Sequence, residues 1–202
     1  VNQGAAFNSL TFALTYYLPI PENNTWAFHY FRSDANVREE GNTDLESLKT
    51  TQGYYACGGF AACEAATLKS SQNQLNANKN GSSKSLGGAD RLRSYPGNRY
   101  QAAHTLFYGT ELRWNFNTEN TKLDYWLLQD VQQALQAVFF WEQGSVAEEI
   151  GEIGETIRSS YGSGIRLVTK SGSVYKFEMA TGDEGAEIIL FFEYPWIGLF
   201  GS

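Results

Sequence analysis

The stretch Glu187-Ile188-Ile189-Leu190-Phe191-Phe192-Glu193-Tyr194-Pro195-Trp196, taken in steps of two, separates into two faces. Ile188, Leu190, Phe192, Tyr194 and Trp196 are all apolar or aromatic, while Glu187, Ile189, Phe191, Glu193 and Pro195 are mixed. Successive side chains of a strand point to opposite faces, so this is β periodicity. A strand of about 9–11 tilted residues crosses a bilayer with an apolar outer face ending in an aromatic girdle, its inner face free to be polar. A soluble sandwich strand with one face in a core has the same pattern, so repetition decides between the two.

Six further segments alternate. Ser9 to Leu18 sets Leu10, Phe12, Leu14, Tyr16 and Leu18 against Ser9, Thr11, Ala13, Thr15 and Tyr17. After the turn signal Pro19 to Asn24, Thr25 to Asp34 sets Trp26, Phe28 and Tyr30 against Ala27, His29 and Phe31, which predicts a hairpin. Thr105 to Phe116 places Leu106, Tyr108, Thr110, Leu112 and Trp114 outward and Phe107, Gly109, Glu111 and Arg113 inward. Leu135 to Gly144, Tyr161 to Thr169 and Val174 to Ala180 continue the pattern, with turns at 170–173 and 181–186. Glu111, Arg113, Glu142, Arg166, Lys176, Glu178, Glu187 and Glu193 all fall on the less apolar face; Arg32, near a strand end, is the exception. An Arg or Lys facing lipid at mid-depth costs about 2–4 kcal/mol, so a lipid-facing surface demands this segregation. Recurrent Gly on the inner face points to something packing closely there. Lys122 to Gln136 is as helical as strand-like and is expected to be a connection, a short amphipathic helix at the interface.

Between residues 36 and 101 alternation lapses into a long Ser-, Asn-, Gly- and Gln-rich stretch. So long a connection argues against a compact soluble domain but suits an extracellular loop of a barrel. The expected fold class is therefore all-β: an antiparallel up-and-down transmembrane β-barrel portion of about seven strands with one long extracellular loop.

Composition agrees. Aromatics at 15%, with 20 Gly and 4 Pro in 202 residues, favour strands and turns. A net charge of −7 argues against a nucleic-acid partner, which needs a basic face that the sequence does not show. No run of about 18 apolar residues suggests a transmembrane helix. No leader pattern follows Val1, so an exported protein is expected here as a mature form or fragment. Cys57 and Cys63, separated by a Gly-containing run, permit a small disulfide loop of an oxidising compartment or remain free thiols. They lack partners for a metal site, and no metal or cofactor is expected. No nucleophile–His–acid set or phosphate loop is present, so no enzymatic activity is expected. Glu148, Glu149, Glu152 and Glu155 form an acidic loop, either solvated or able to hold a divalent cation.

Ser85-Leu86-Gly87-Gly88-Ala89-Asp90-Arg91-Leu92-Arg93-Ser94-Tyr95 resembles the hallmark loop of the bacterial surface antigen family, which includes the BamA/TamA-type outer-membrane assembly factors and the two-partner-secretion transporters. The family pattern is Leu-Gly-Gly, a gap, Val/Leu-Arg-Gly-Tyr/Phe, then a strand with Glu-x-Arg, matched by Glu111-Leu112-Arg113. A following Phe-x-Asp-x-Gly is matched by Phe140 to Gly144, and the next strand by Ser160 to Arg166. Ser94 stands where the pattern has Gly, and Glu142 where it has Asp. The resemblance covers Leu86 to Trp196, and the first 85 residues match in layout only.

The resemblance implies that Leu86, Gly87, Gly88, Leu92, Arg93, Ser94 and Tyr95 form a loop folded into a barrel lumen, with Arg93 meeting Glu142 and with Glu111 and Arg113 nearby. It implies a sixteen-stranded barrel of which residues 1–202 are the C-terminal portion, located in the bacterial outer membrane. It makes Phe192, Tyr194 and Trp196 the terminal insertion signal, although 197–202 follow. The implied partners are outer-membrane lipid and unfolded β-barrel or secreted polypeptide clients, the implied function polypeptide insertion or translocation. A simple channel, or an anchor for an N-terminal enzyme domain, is the alternative.

Overall fold

The structure, a computed structural model, describes residues 4–22, 24–116, 133–169 and 174–193. Seven strands, β1 (Ala6–Ile20), β2 (Asn24–Glu39), β3 (His104–Asn115), β4 (Gln133–Ala147), β5 (Arg158–Thr169), β6 (Val174–Gly182) and β7 (Gly185–Glu193), pair antiparallel, each with the next. The result is one up-and-down sheet. It is not closed: among the described residues β1 and β7 each pair on one side only.

Register carries the alternation of each strand across the whole sheet. Leu18, Trp26, Leu112, Phe139, Ser163, Met179 and Ile188 are successive cross-strand partners and lie on one face. Tyr17, Ala27, Glu111, Phe140, Gly162, Ala180 and Glu187 lie side by side on the other. The sheet curls so that the second face is concave, enclosing a cavity of about 290 Å³ bordered by Ala13 of β1 at one side and Phe191 of β7 at the other. On the convex face Leu10 is 77% exposed and Leu190 75%, whereas Ala27 and Val138 on the concave face are wholly buried. A fold with its aliphatic and aromatic side chains outward has its core on the concave side, around whatever fills it.

The strands run further than their cleanest alternation. β2 continues to Glu39 because Ala35, Asn36 and Val37 pair with Ser9, Asn8 and Phe7. β5 starts at Arg158, and the last turn shrinks to Asp183 and Glu184. Residues 133–136, expected to close a helix, belong to β4, while 117–132 lie outside the described residues, as do the turn at 170–173 and residues 194–202.

The stretch between β2 and β3 is only partly loop. It contains α1 (Leu45–Thr51), a 3-10 turn (Tyr54–Cys57) and α2 (Ala61–Asn80). α1 starts at Asp44, whose side chain accepts from the Glu46 amide, and α2 ends at Gly81, whose φ of 82° suits glycine. α2 has no apolar stripe; its buried side chains are Ser71 and Asn78. Polar anchors take the place of a core. Asn78 donates to the Asn42 carbonyl at 2.7 Å, and Asn76 and Asn80 both donate to Glu148 at the end of β4, each at 3.1 Å. A disulfide joins Cys57 to Cys63 at the other end. The helix thus bridges from the end of β2 to the end of β4.

Candidate functional site

From Gly81 the chain turns down onto the concave face. Leu86 and Tyr100 pair as an isolated bridge and close a loop between them, with Leu86 N donating to Tyr100 O at 2.8 Å. Gly87 and Gly88 have φ of 101° and 104°, a region costly for residues with a Cβ, and a Cβ on Gly87 would strike the Pro96 carbonyl. Their amides donate to Arg91 O and Tyr95 O, so the Leu-Gly-Gly forms the tight base of the loop. Leu92, at φ 55°, is the loop's strained non-glycine residue in its first half. Ser94 is not: its φ is not positive, so the position where the family pattern has Gly needs no glycine here.

Leu86, Leu92 and Tyr95 pack with Phe31 of β2 and Phe107 of β3 as one buried cluster. Gly144 of β4 makes room, because a Cβ there would come within 2.6 Å of Leu86 Cδ1 and 3.2 Å of Leu92 Cδ1. The glycines of the inner face are therefore explained in part by the loop lying on them.

Beside this cluster lies a buried charge network. Arg93 Nε donates to Glu142 Oε1 at 2.8 Å, its backbone amide donates to Glu142 Oε2 at 2.9 Å, and Nη1 reaches Glu178 Oε2 at 2.8 Å and Glu111 Oε2 at 3.1 Å. Its guanidinium carbon sits 3.5 Å from the Phe140 ring centroid. Arg166 forms a two-pronged pair with Glu111, 2.7 Å on each prong, and donates to Glu178 Oε1 from Nε and Nη2 at 2.8 and 2.6 Å. Arg113 adds a 2.7 Å contact to Glu111. Three carboxylates from β3, β4 and β6 are thereby matched by three guanidinium groups, one each from the loop, β3 and β5. Such planar forks are strong and geometrically specific. Burial makes the set cooperative, since removing one member leaves its partners charged and desolvated.

A second clip holds the loop to the turn between β6 and β7. The Tyr95 hydroxyl accepts from the Asp183 amide and donates to Ser159 O, both at 3.2 Å, and Ser94 N donates to Ser160 Oγ at 2.9 Å. Arg99 forks onto Glu184 at 2.7 and 3.0 Å, joined by the Tyr100 hydroxyl at 2.7 Å. These hydrogen bonds hold the Glu184 carboxyl below its ordinary range.

The residues of the sequence pattern thus come together: Leu86, Leu92, Arg93, Ser94 and Tyr95 are buried on the wall, and Glu111, Arg113 and Glu142 face Arg93 or its immediate neighbours. Two members escaped sequence reasoning as site residues, Arg166 and Glu178. Alternation put both inward, but their pairing depends on inter-strand register, which sets Glu178 opposite Gly164 and Arg166 opposite Gln136. Glycine opposite Glu178 matters, because a Cβ on Gly164 would lie 2.6 Å from Glu178 Cγ. Phe192 is on the convex face, half exposed, while Tyr194 and Trp196 lie outside the described residues. Of the acidic loop, Glu148 is engaged by the α2 amides, and among the described residues no group of His, Cys, Asp or Glu is arranged to hold a metal.

No helix among the described residues is long and apolar enough to cross a membrane, which says nothing of strands. The convex face carries Arg32 and Asp34 as its charged pair, 2.6 Å apart and joined by His104, all at the loop end of the sheet. Comparison of the sequence with protein-family models gives no match, and comparison with curated proteins gives none either.

Proposed function

We propose that this chain forms part of the wall of a bacterial outer-membrane β-barrel of the surface antigen type, with the loop 86–100 fastened inside the lumen, and that the barrel serves polypeptide insertion or translocation. The observation that carries the reading is the division of the sheet. One face is bare aliphatic and aromatic side chains with its charges confined to one end; the other holds an Arg–Glu network that ties the loop to β3, β4 and β6. In water the convex face would be an aggregation surface far larger than the few hundred Å² that monomers expose. In lipid it is the expected outer wall.

Lipid does not tolerate an open sheet edge, so this reading requires further strands or another chain along β1 and β7. The loop motif and its order relative to Glu111-Leu112-Arg113 and Phe140 to Gly144 support the surface antigen type, which works without covalent chemistry by pairing strand edges with client chains. The test is reconstitution of the whole protein in lipid vesicles with an unfolded barrel client. Client folding several-fold faster than in protein-free vesicles supports the assignment. Ion conductance with no effect on client folding would instead favour a plain channel.

A further inference from the structure

Arg91, which neither the loop pattern nor the buried network uses, lines the concave cavity together with His29, Arg113 and Phe31. Its guanidinium carbon lies over the Phe31 ring, 4.3 Å from the centroid, a cation–π contact that restrains the side chain. Unlike Arg93, Arg113 and Arg166, it has no carboxylate within ion-pair distance among the described residues, and its Nε is buried without an acceptor. A buried donor without an acceptor is uncommon and costs about 1–3 kcal/mol, so the arrangement calls for a reason.

The carboxylates that share the cavity lining do not supply that reason. Glu111, Glu142 and Glu178 are consumed by Arg93, Arg113 and Arg166. Asp90, the remaining acid of the lining, is exposed and makes no ion pair among the described residues. Among the described residues the cavity therefore presents a restrained cation with no carboxylate counter-group on its own wall. Within a chain of net charge −7, such a spot is not general basicity.

We infer that Arg91, stacked on Phe31, is an oxyanion-binding site of the concave cavity, built to take a carboxylate or phosphate group that enters it. A guanidinium restrained over an aromatic ring loses little freedom on binding, and its Nη donors, the Nε being buried, match the oxygens of such a group. The site does not depend on whether the sheet lies in a membrane.

The test uses the whole protein in detergent micelles, with inorganic phosphate as the probe at constant ionic strength, followed by phosphorus NMR line broadening. Wild type should give saturable broadening; Arg91→Gln should weaken binding at least about tenfold, as expected for loss of a charge-assisted hydrogen bond. The control Lys69→Gln, exposed on α2 and outside the cavity lining, should leave it unchanged. Folding of each variant is checked by heat-modifiable gel migration. Competition by a glutamate-rich peptide but not by a neutral one identifies polypeptide carboxylates as the source, and failure of both to compete identifies the free anion. Binding equal in Arg91→Gln and wild type, or no saturable binding by folded protein, overturns the proposal.

Discussion

Arg93 meets carboxylates that come from three strands, so one side chain fixes the loop relative to most of the wall. Arg93→Ala leaves Glu142 and Glu178 desolvated with one counter-charge fewer, and should cost about 3–5 kcal/mol, read as a lower unfolding midpoint and faster proteolysis within 86–100. Protease resistance equal to wild type in outer-membrane vesicles would contradict the lock. Ser94→Ala is the contrasting case. The Ser94 hydroxyl is buried without a partner while its amide keeps Ser160, so removing it should change stability by less than about 1 kcal/mol, in either direction, in the same assay. A loss as large as that of Arg93→Ala would mean the hydroxyl has an acceptor. Gly144→Ala tests packing at the same wall: the added methyl meets Leu86 and Leu92, and overpacking of this kind costs about 1–3 kcal/mol. At this scale the sequence was legible where a local rule applies. Alternation puts Glu111 and Glu142 inward, whereas the positive-φ backbone at Gly87 and Gly88 is a finding of the structure, the sequence having offered those two residues only through the resemblance. That Arg166 forks onto Glu111 is invisible in one dimension, because it depends on β5 and β3 facing each other across the concave side of the sheet.

Among the elements, strands could be read from sequence because a half-exposed strand must alternate, and Trp26 to Phe31 or Tyr175 to Glu178 do so residue by residue. α2 could not, since nothing in Ala61–Asn80 repeats at helical spacing and Asn and Ser favour turns over helix interiors. It stands on asparagine contacts to Asn42 and Glu148, which only the folded chain brings together, and on the disulfide to Cys57 that the cysteine spacing permits. Replacing Cys57 and Cys63 by Ser should therefore destabilise the insertion by about 2 kcal/mol, seen as faster amide exchange across α2, with the amides of β3 to β6 unchanged. The clip between the loop and the β6–β7 turn should depend on pH. Glu184 is depressed by Arg99 and Tyr100, so the contact contributes fully above the ordinary glutamate range and is lost as pH falls through the lowered value. The protection factors of the 97–100 amides, exchange rates taken relative to the unstructured rate at the same pH, should fall on acidification in wild type, and in Glu184→Gln should be low already at neutral pH.

For the whole molecule, the consequence of seven registered strands is a surface divided by chemistry. From Leu18 and Trp26 across to Met179 and Ile188, the convex rows hold no ionisable carboxylate or amine until Arg32 and Asp34 near the loop end. This division was the most legible feature of the sequence, because the same parity of apolar and charged residues recurs in strand after strand. The most direct test of the lipid-facing wall places nitroxide labels one at a time along β6, from Tyr175 to Met179, in the whole protein reconstituted in vesicles, and measures collision with oxygen and with a water-soluble nickel chelate. The account predicts oxygen contact high and nickel contact low at 175, 177 and 179, with oxygen contact dropping at 176 and 178. Equal access of the nickel chelate to Tyr175, Phe177 and Met179 would place the convex face in water and contradict it.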